Sequence, residues 1–140
     1  MEIVQDTNVF VAALRSQEGA SAEVLDRCLA HEDEAVMGAA LFAEYEELVE
    51  RESVWRSVPV TAEERQAILD DFCAAARWQP IYFRWRPNLP DADDDHVLEL
   101  ALAGGVEHLV THNTRHFGRG ELKFASPIVV TPAQHLKIVK

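Results

Sequence analysis

No stretch of this chain approaches the roughly 18 consecutive apolar residues that a bilayer-crossing helix needs. The opening MEIVQDTNVF carries an acid where a secretory leader carries basic residues. The expectation is a cytoplasmic protein with no membrane partner. Cysteine is scarce: Cys28 and Cys73 lie far apart, without the close spacing of a zinc or redox motif. Each falls in an apolar helical pattern and reads as a small core hydrophobe. Basic residues are outnumbered, 13 Lys and Arg against 24 Asp and Glu, for a formal net charge of −11. That balance argues against a broad basic face gripping nucleic acid. A nucleic-acid substrate would need metal ions or a small basic patch to offset the acids. Internal repeats, low-complexity tracts and hinge-like linkers are absent as well.

What is present suits one ordinary folded core. A length of 140 residues, 48% hydrophobic and 26% charged, predicts a single domain over 1–140. Residues 2–5 form a short apolar run ended by Asp6-Thr7-Asn8, a cluster that favours turns and helix caps. Val9, Phe10, Ala13 and Leu14 then predict a helix that Gly19 breaks, and Val24, Leu25, Cys28 and Leu29 predict another. The run 34–38 is too short for a helix and predicts a second strand. The helix after it carries Leu41, Phe42, Tyr45, Leu48 and Val49 on one face. Thr61-Ala62-Glu63-Glu64 matches a capping box, opening a helix through Ile68, Leu69, Phe72 and Ala76. Residues 80–83 predict a third strand, and 87–95 a loop rich in Pro and Asp. Val97, Leu98, Ala101 and Leu102 predict a helix stopped at Gly104-Gly105. Runs 108–111 and 127–130 complete five strands, and Thr131-Pro132 starts the last helix. Strands alternating with helices predict an α/β fold, a central parallel sheet of about five strands flanked by helices on both faces.

In open parallel sheets, ligands bind beyond the carboxyl ends of the strands, where loops converge and helix N-termini point their amides. Asp6 directly follows the first strand. Glu44 lies about one and a half turns into the helix after the second. The cluster Asp91, Asp93, Asp94, Asp95 opens the helix before the fourth strand, and His112-Asn113 follows that strand. Carboxylates gathered in one place repel, and a bound cation relieves the repulsion. Oxygen ligands of this kind suit Mg²⁺ or Mn²⁺, which can activate water and stabilise charge on a phosphate. Each piece also has a plainer reading. Asp6 alone is a good N-cap, Glu44 is one of four glutamates on a solvated helix, and the Asp run suits a first helical turn. Only the combination speaks for a site.

The segment Val4-Gln5-Asp6-Thr7-Asn8-Val9 resembles the opening motif of PIN-domain nucleases. The stretch from Pro90 to Ala101, followed by Leu109-Val110-Thr111-His112-Asn113, resembles the second half of that family in the same order. The resemblance covers nearly the whole chain and implies a PIN-like domain with Mg²⁺- or Mn²⁺-dependent ribonuclease activity, often the toxin of a toxin–antitoxin pair of the VapC type. It implies RNA as substrate, an antitoxin protein as partner and a homo-oligomer. Residue by residue, Asp6 matches the first metal-binding acid, Glu44 the second and Asp94 the third, with Asp95 the alternative for the third. Where many members carry a fourth acid this chain has Asn113, which offers a carbonyl oxygen but no charge. A second metal is expected to bind more weakly for that reason. Thr7, Asn8, Thr111 and His116 are candidates to orient the acids or the phosphate, His116 being expected as a surface residue rather than a catalyst. Arg115, with Arg84, Arg86, Arg119 and Lys123, is expected to meet substrate, arginine being suited to phosphate. Trp85 could stack a base or simply pack.

Two other readings fit less well. A dehalogenase-like phosphatase needs an acid two residues after its nucleophilic Asp, and here that place is Asn8, which leaves no proton donor. A binding module of PIN-like fold without chemistry is the alternative from another class. Asn113 and the net acidity favour it, while Asp6, Glu44 and Asp94 together disfavour it.

Overall fold

The computed structural model describes residues 1–81, 95–118 and 127–140, and of Asp95 and His116 the backbone alone. Five strands, β1 (Glu2–Gln5), β2 (Glu34–Met37), β3 (Arg77–Trp78), β4 (His108–Val110) and β5 (Ile128–Val130), form one sheet in the order β3-β2-β1-β4-β5. Every pairing is parallel. Consecutive side chains of a strand point to opposite faces. Ile3 and Val4 are both wholly buried, as are Leu109 and Val110, so the sheet is covered on both sides. The α/β architecture read from the alternation of apolar patterns is the one observed.

Helices α1 (Thr7–Arg15) and α2 (Ala20–Leu29) fill the crossover from β1 to β2. Helix α3 (Ala39–Glu50), a 3₁₀ turn at Glu52–Trp55 and α4 (Ala62–Ala75) lead to β3. Helix α5 (Asp95–Gly104) precedes β4, α6 (Thr114–Gly118) follows it, and α7 (Pro132–Val139) ends the chain. Helix starts are set by local chemistry. Thr61 and Thr131 each complete a capping box, with Glu64 and Gln134 reaching back, and Pro132 stands where its missing N–H costs nothing. Helix α5 gives way to Gly105, whose φ of +64° suits a residue without a side chain.

The third strand lies earlier than expected. Pro80 and Ile81 belong to no strand, and Arg77 and Trp78 instead align with Val36 and Met37. Pro80 has no N–H to give a ladder. Arg77 has what Pro80 lacks: its guanidinium donates to Glu34 Oε1 at 2.9 Å and to the Gly104 carbonyl at 2.9 Å, which fixes the register of a short edge strand. Tyr82 and Phe83, the rest of the expected strand, lie outside the described residues.

Beneath one end of the sheet, Phe10 of α1, Tyr45 of α3 and Phe72 of α4 form a buried aromatic trio, with ring centroids 5.1, 6.1 and 5.7 Å apart. Tyr45 Oη donates to the Gln5 carbonyl at 2.6 Å, pinning α3 to the end of β1. Cys28 is buried and burial pushes its thiol up to about 12, while Cys73 sits at the edge of the core with its thiol raised to about 11. Both are too weakly acidic for nucleophilic chemistry near neutrality.

Candidate active site

The strand order makes β1 and β4 neighbours, although two β-strands separate them in sequence. In such a sheet the connections from β1 and β4 leave in opposite directions and open a crevice at their carboxyl ends. The next residues along both strands meet there. Asp6 N–H donates to the Val110 carbonyl at 2.9 Å, and Thr111 N–H to the Val130 carbonyl at 2.9 Å, so both residues extend the ladder by one step.

Asp6 is the N-cap of α1, but not an ordinary one. An N-cap usually accepts from the second or third helical N–H; Asp6 Oδ1 accepts from the first, that of Thr7, at 2.8 Å. Its other oxygen is turned across the crevice to accept from Thr111 Oγ1 at 2.8 Å and, more loosely, from Asn8 Nδ2 at 3.4 Å. Asn8 Nδ2 also donates to Thr111 Oγ1 at 3.2 Å, and Asn8 Oδ1 accepts from the His112 N–H at 3.1 Å. Asn113 N–H closes on Thr111 Oγ1 at 3.0 Å. One threonine hydroxyl therefore gives one hydrogen bond and accepts two, which uses its full capacity. Burial raises the Asp6 carboxyl, and the hydrogen bonds from Thr111 and Thr7, with the charge of His96, pull the other way without cancelling it.

Glu44 reaches this cluster from α3. The aromatic side of that helix, through Tyr45, faces the core, and Glu46, Glu47 and Glu50 are exposed. Glu44 is half-buried, and its Oε1 accepts from Thr7 Oγ1 at 2.8 Å. Thr7 thus bridges the two acids, its N–H on Asp6 and its hydroxyl on Glu44. The second oxygen of Glu44 lies 2.7 Å from His96 Nε2 at the start of α5.

The structure therefore brings Asp6, Thr7, Asn8, Glu44, Thr111 and the backbone of Asn113 into one hydrogen-bonded set. The Asn113 side chain is exposed beside it, and Arg115 is exposed on α6. Asp94, Asp91, Asp93, Arg84, Trp85, Arg86, Arg119 and Lys123 lie outside the described residues, as do the side chains of Asp95 and His116. Among the described residues no three His, Cys, Asp or Glu side chains assemble into a metal-holding group, the expected third acid being outside them. The donors that are described fit a hard divalent cation. They are carboxylate, hydroxyl and amide oxygens, and the buried Asp6 has no Lys or Arg partner among the described residues to offset its charge. Residues that sequence reasoning passed over are His96, which touches Glu44, and Ser21, whose hydroxyl lies 2.8 Å from His112 Nε2. His96 stood inside the family-like stretch 90–101 but was given no role there, and Ser21 belongs to no motif.

This architecture and this site carry a family name. The chain belongs to the PIN domain family, whose profile matches residues 2–115. Among solved structures it is similar to the crystal structure of VapBC2 from Rickettsia felis bound to a DNA fragment from their promoter. The TM-score is 0.56 and the identity 18%, over 93% of this chain and 97% of that one, a likeness of fold. No curated protein matches the sequence.

Proposed function

We propose that this chain is a Mg²⁺- or Mn²⁺-dependent endoribonuclease acting as the toxin of a toxin–antitoxin pair. The observation that carries the reading is the convergence of Asp6 and Glu44 on Thr7, with Thr111 anchoring Asp6, at the crevice between β1 and β4. Two acids from separate elements, each oriented by a hydroxyl donor and drawn to one crevice, make a cation-ready rim. The third acid is assigned to Asp94, with Asp95 as its alternative, on the family resemblance. When bound, such a cation supplies Lewis-acid polarisation of a phosphate and acidifies water nearby.

The protein's own residues do the rest. Hydrogen bonds from Thr111 Oγ1, Asn8 Nδ2 and the Thr7 N–H fix the orientation of the Asp6 carboxylate. Thr7 Oγ1 holds Glu44 toward the same space. Asn8, fixed by the His112 N–H, closes the floor between them. The exposed Asn113 amide is assigned the orienting of a phosphate or a water, and the exposed Arg115 of α6 a contact with the substrate. With a net charge of −11, a bound cation and the arginine of α6 would offset the acids for a polyanionic substrate.

Membership of the PIN domain family supports a nuclease, and the resemblance to VapC-type toxins supports an antitoxin partner and a homo-oligomer. A second reading, a PIN-like binding module, draws on one observation: an uncharged, exposed Asn113 where a fourth acid is common. Purified protein, free of antitoxin, is incubated with single-stranded RNA and DNA of the same sequence in Mn²⁺. Cleavage of the RNA alone is the expected result. Equal cleavage of both would remove the ribonuclease assignment, and cleavage of neither would favour the binding module.

A further inference from the structure

Glu44 differs from the other glutamates of α3 in being held from two sides. Oε1 accepts from Thr7 at the start of α1, and Oε2 lies 2.7 Å from His96 Nε2 at the start of α5. A carboxylate only accepts, so the proton in the second contact sits on Nε2. The other ring nitrogen, Nδ1, is buried and makes no hydrogen bond. The polar contact of this ring is therefore made with Glu44. The two side chains also line the same groove, of about 460 Å³, together with Ala40, Ala43 and Arg51.

A glutamate on a half-exposed helix face ordinarily spreads over several rotamers, since its three side-chain torsions are nearly free. Donors on two different elements remove that freedom. Each carboxylate oxygen has more than one acceptor site, and Thr7 and His96 take one on each, which orients the group. In sequence His96 directly follows Asp95 and lies two residues beyond Asp94, the proposed third acid.

From this geometry we infer that His96 is a positioning residue for Glu44, fixing the carboxylate for a divalent cation and coupling α3 to the start of α5. The inference rests on the reading of Glu44 as a metal-holding acid. Partners that orient a ligand from behind are typically worth 10- to 100-fold in metal affinity, on the order of what is expected here.

The test is Mn²⁺ affinity, read from the electron paramagnetic resonance of the free ion, on the full chain and on Asp6→Asn, Glu44→Gln, His96→Ala, His96→Gln and the double variant Glu44→Gln/His96→Ala. His96→Ala is expected to weaken Mn²⁺ binding about 10- to 100-fold. His96→Gln, which keeps an N–H donor, recovers much of the loss. In the double variant His96→Ala adds nothing to Glu44→Gln, because it acts through that side chain. A purely structural clamp between α3 and α5 would instead lower thermal stability equally in both backgrounds and leave Mn²⁺ affinity unmoved. If Asp6→Asn and Glu44→Gln weaken binding while His96→Ala does not, the role of His96 is overturned and the metal reading stands. If neither acid variant weakens binding, the metal reading fails and this inference fails with it.

Discussion

Thr111 carries more of the site's geometry than its size suggests. Its hydroxyl donates to Asp6 and accepts from Asn8 and Asn113 while fully buried, so removing it leaves a buried carboxylate short of its strongest donor. Thr111→Val is expected to cut turnover about 10- to 100-fold and to cost about 1–3 kcal/mol in stability. Thr111→Ser should retain most of both, as measured by single-turnover cleavage and urea unfolding. A valine variant as active as the parent would mean that Asp6 needs no orientation from β4. The residues of this cluster were largely readable in advance. Asp6-Thr7-Asn8 and Thr111-His112-Asn113 stand directly after apolar runs, where a parallel sheet must present them. His96 was not readable, because a histidine after four aspartates in five positions looks like any helix-start residue until α3 is seen beside it.

At the scale of elements, the capping boxes at Thr61 and Thr131 and the positive-φ stop at Gly105 lay open in the sequence, since each rests on neighbours within four residues. The short β3 and the five-residue α6 did not. Two paired residues at an edge carry no periodicity, and Arg77 is held by Glu34 and Gly104, far away in sequence. The 3₁₀ turn that joins α3 to α4 is likewise held from a distance. Arg65 on α4 is buried and donates to the carbonyls of Val49 and Val60 and to Glu52, its guanidinium carbon 5.2 Å from the Trp55 ring centre. Arg65→Met fills the space but strands those carbonyls, and it should cost about 1–3 kcal/mol. Glu52→Gln, at a side chain 75% exposed, should cost less than about 1 kcal/mol. Equal losses in chemical denaturation would show that the ion pair, not the carbonyl bonds, holds this corner.

The molecule as a whole is tied at both ends of its sheet. At the end opposite the candidate active site, His135 of α7 lies 2.8 Å from Asp33 through Nε2 and 2.7 Å from His108 through Nδ1, all three buried. Arg27 donates to Asp33 at 2.9 Å, and the Met1 amino group lies 3.4 Å from it. Burial lifts the Asp33 carboxyl, but Arg27 and His135 outweigh it and hold it below its ordinary 3.8. Burial and the facing His135 hold His108 below its ordinary 6.5, with Glu107 and Asp33 opposing. Both folded values are depressed, so the stability they contribute is present at neutral pH and lost as pH falls. For His108 the loss begins near 6.5, where the unfolded chain takes up a proton the fold refuses; for Asp33 it begins only below 3.8. The melting temperature should therefore fall between about pH 7 and about pH 5. His108→Asn, which keeps a hydrogen-bonding atom near Nδ1 but does not titrate, should flatten that fall. An unchanged slope in the variant would place the acid sensitivity elsewhere.

The proposed function is metal-dependent RNA cleavage by the acids of the β1–β4 crevice. Its most direct test is the incubation of end-labelled total RNA with purified, antitoxin-free protein in Mg²⁺ or Mn²⁺, beside the Asp6→Asn variant and an EDTA control. Discrete fragments that appear only with metal, and at least about 100-fold more slowly with Asp6→Asn, are the predicted result, the scale of losing a group central to the chemistry. Intact RNA after incubation with folded protein that demonstrably binds Mn²⁺, or cleavage that persists undiminished in Asp6→Asn, would contradict it.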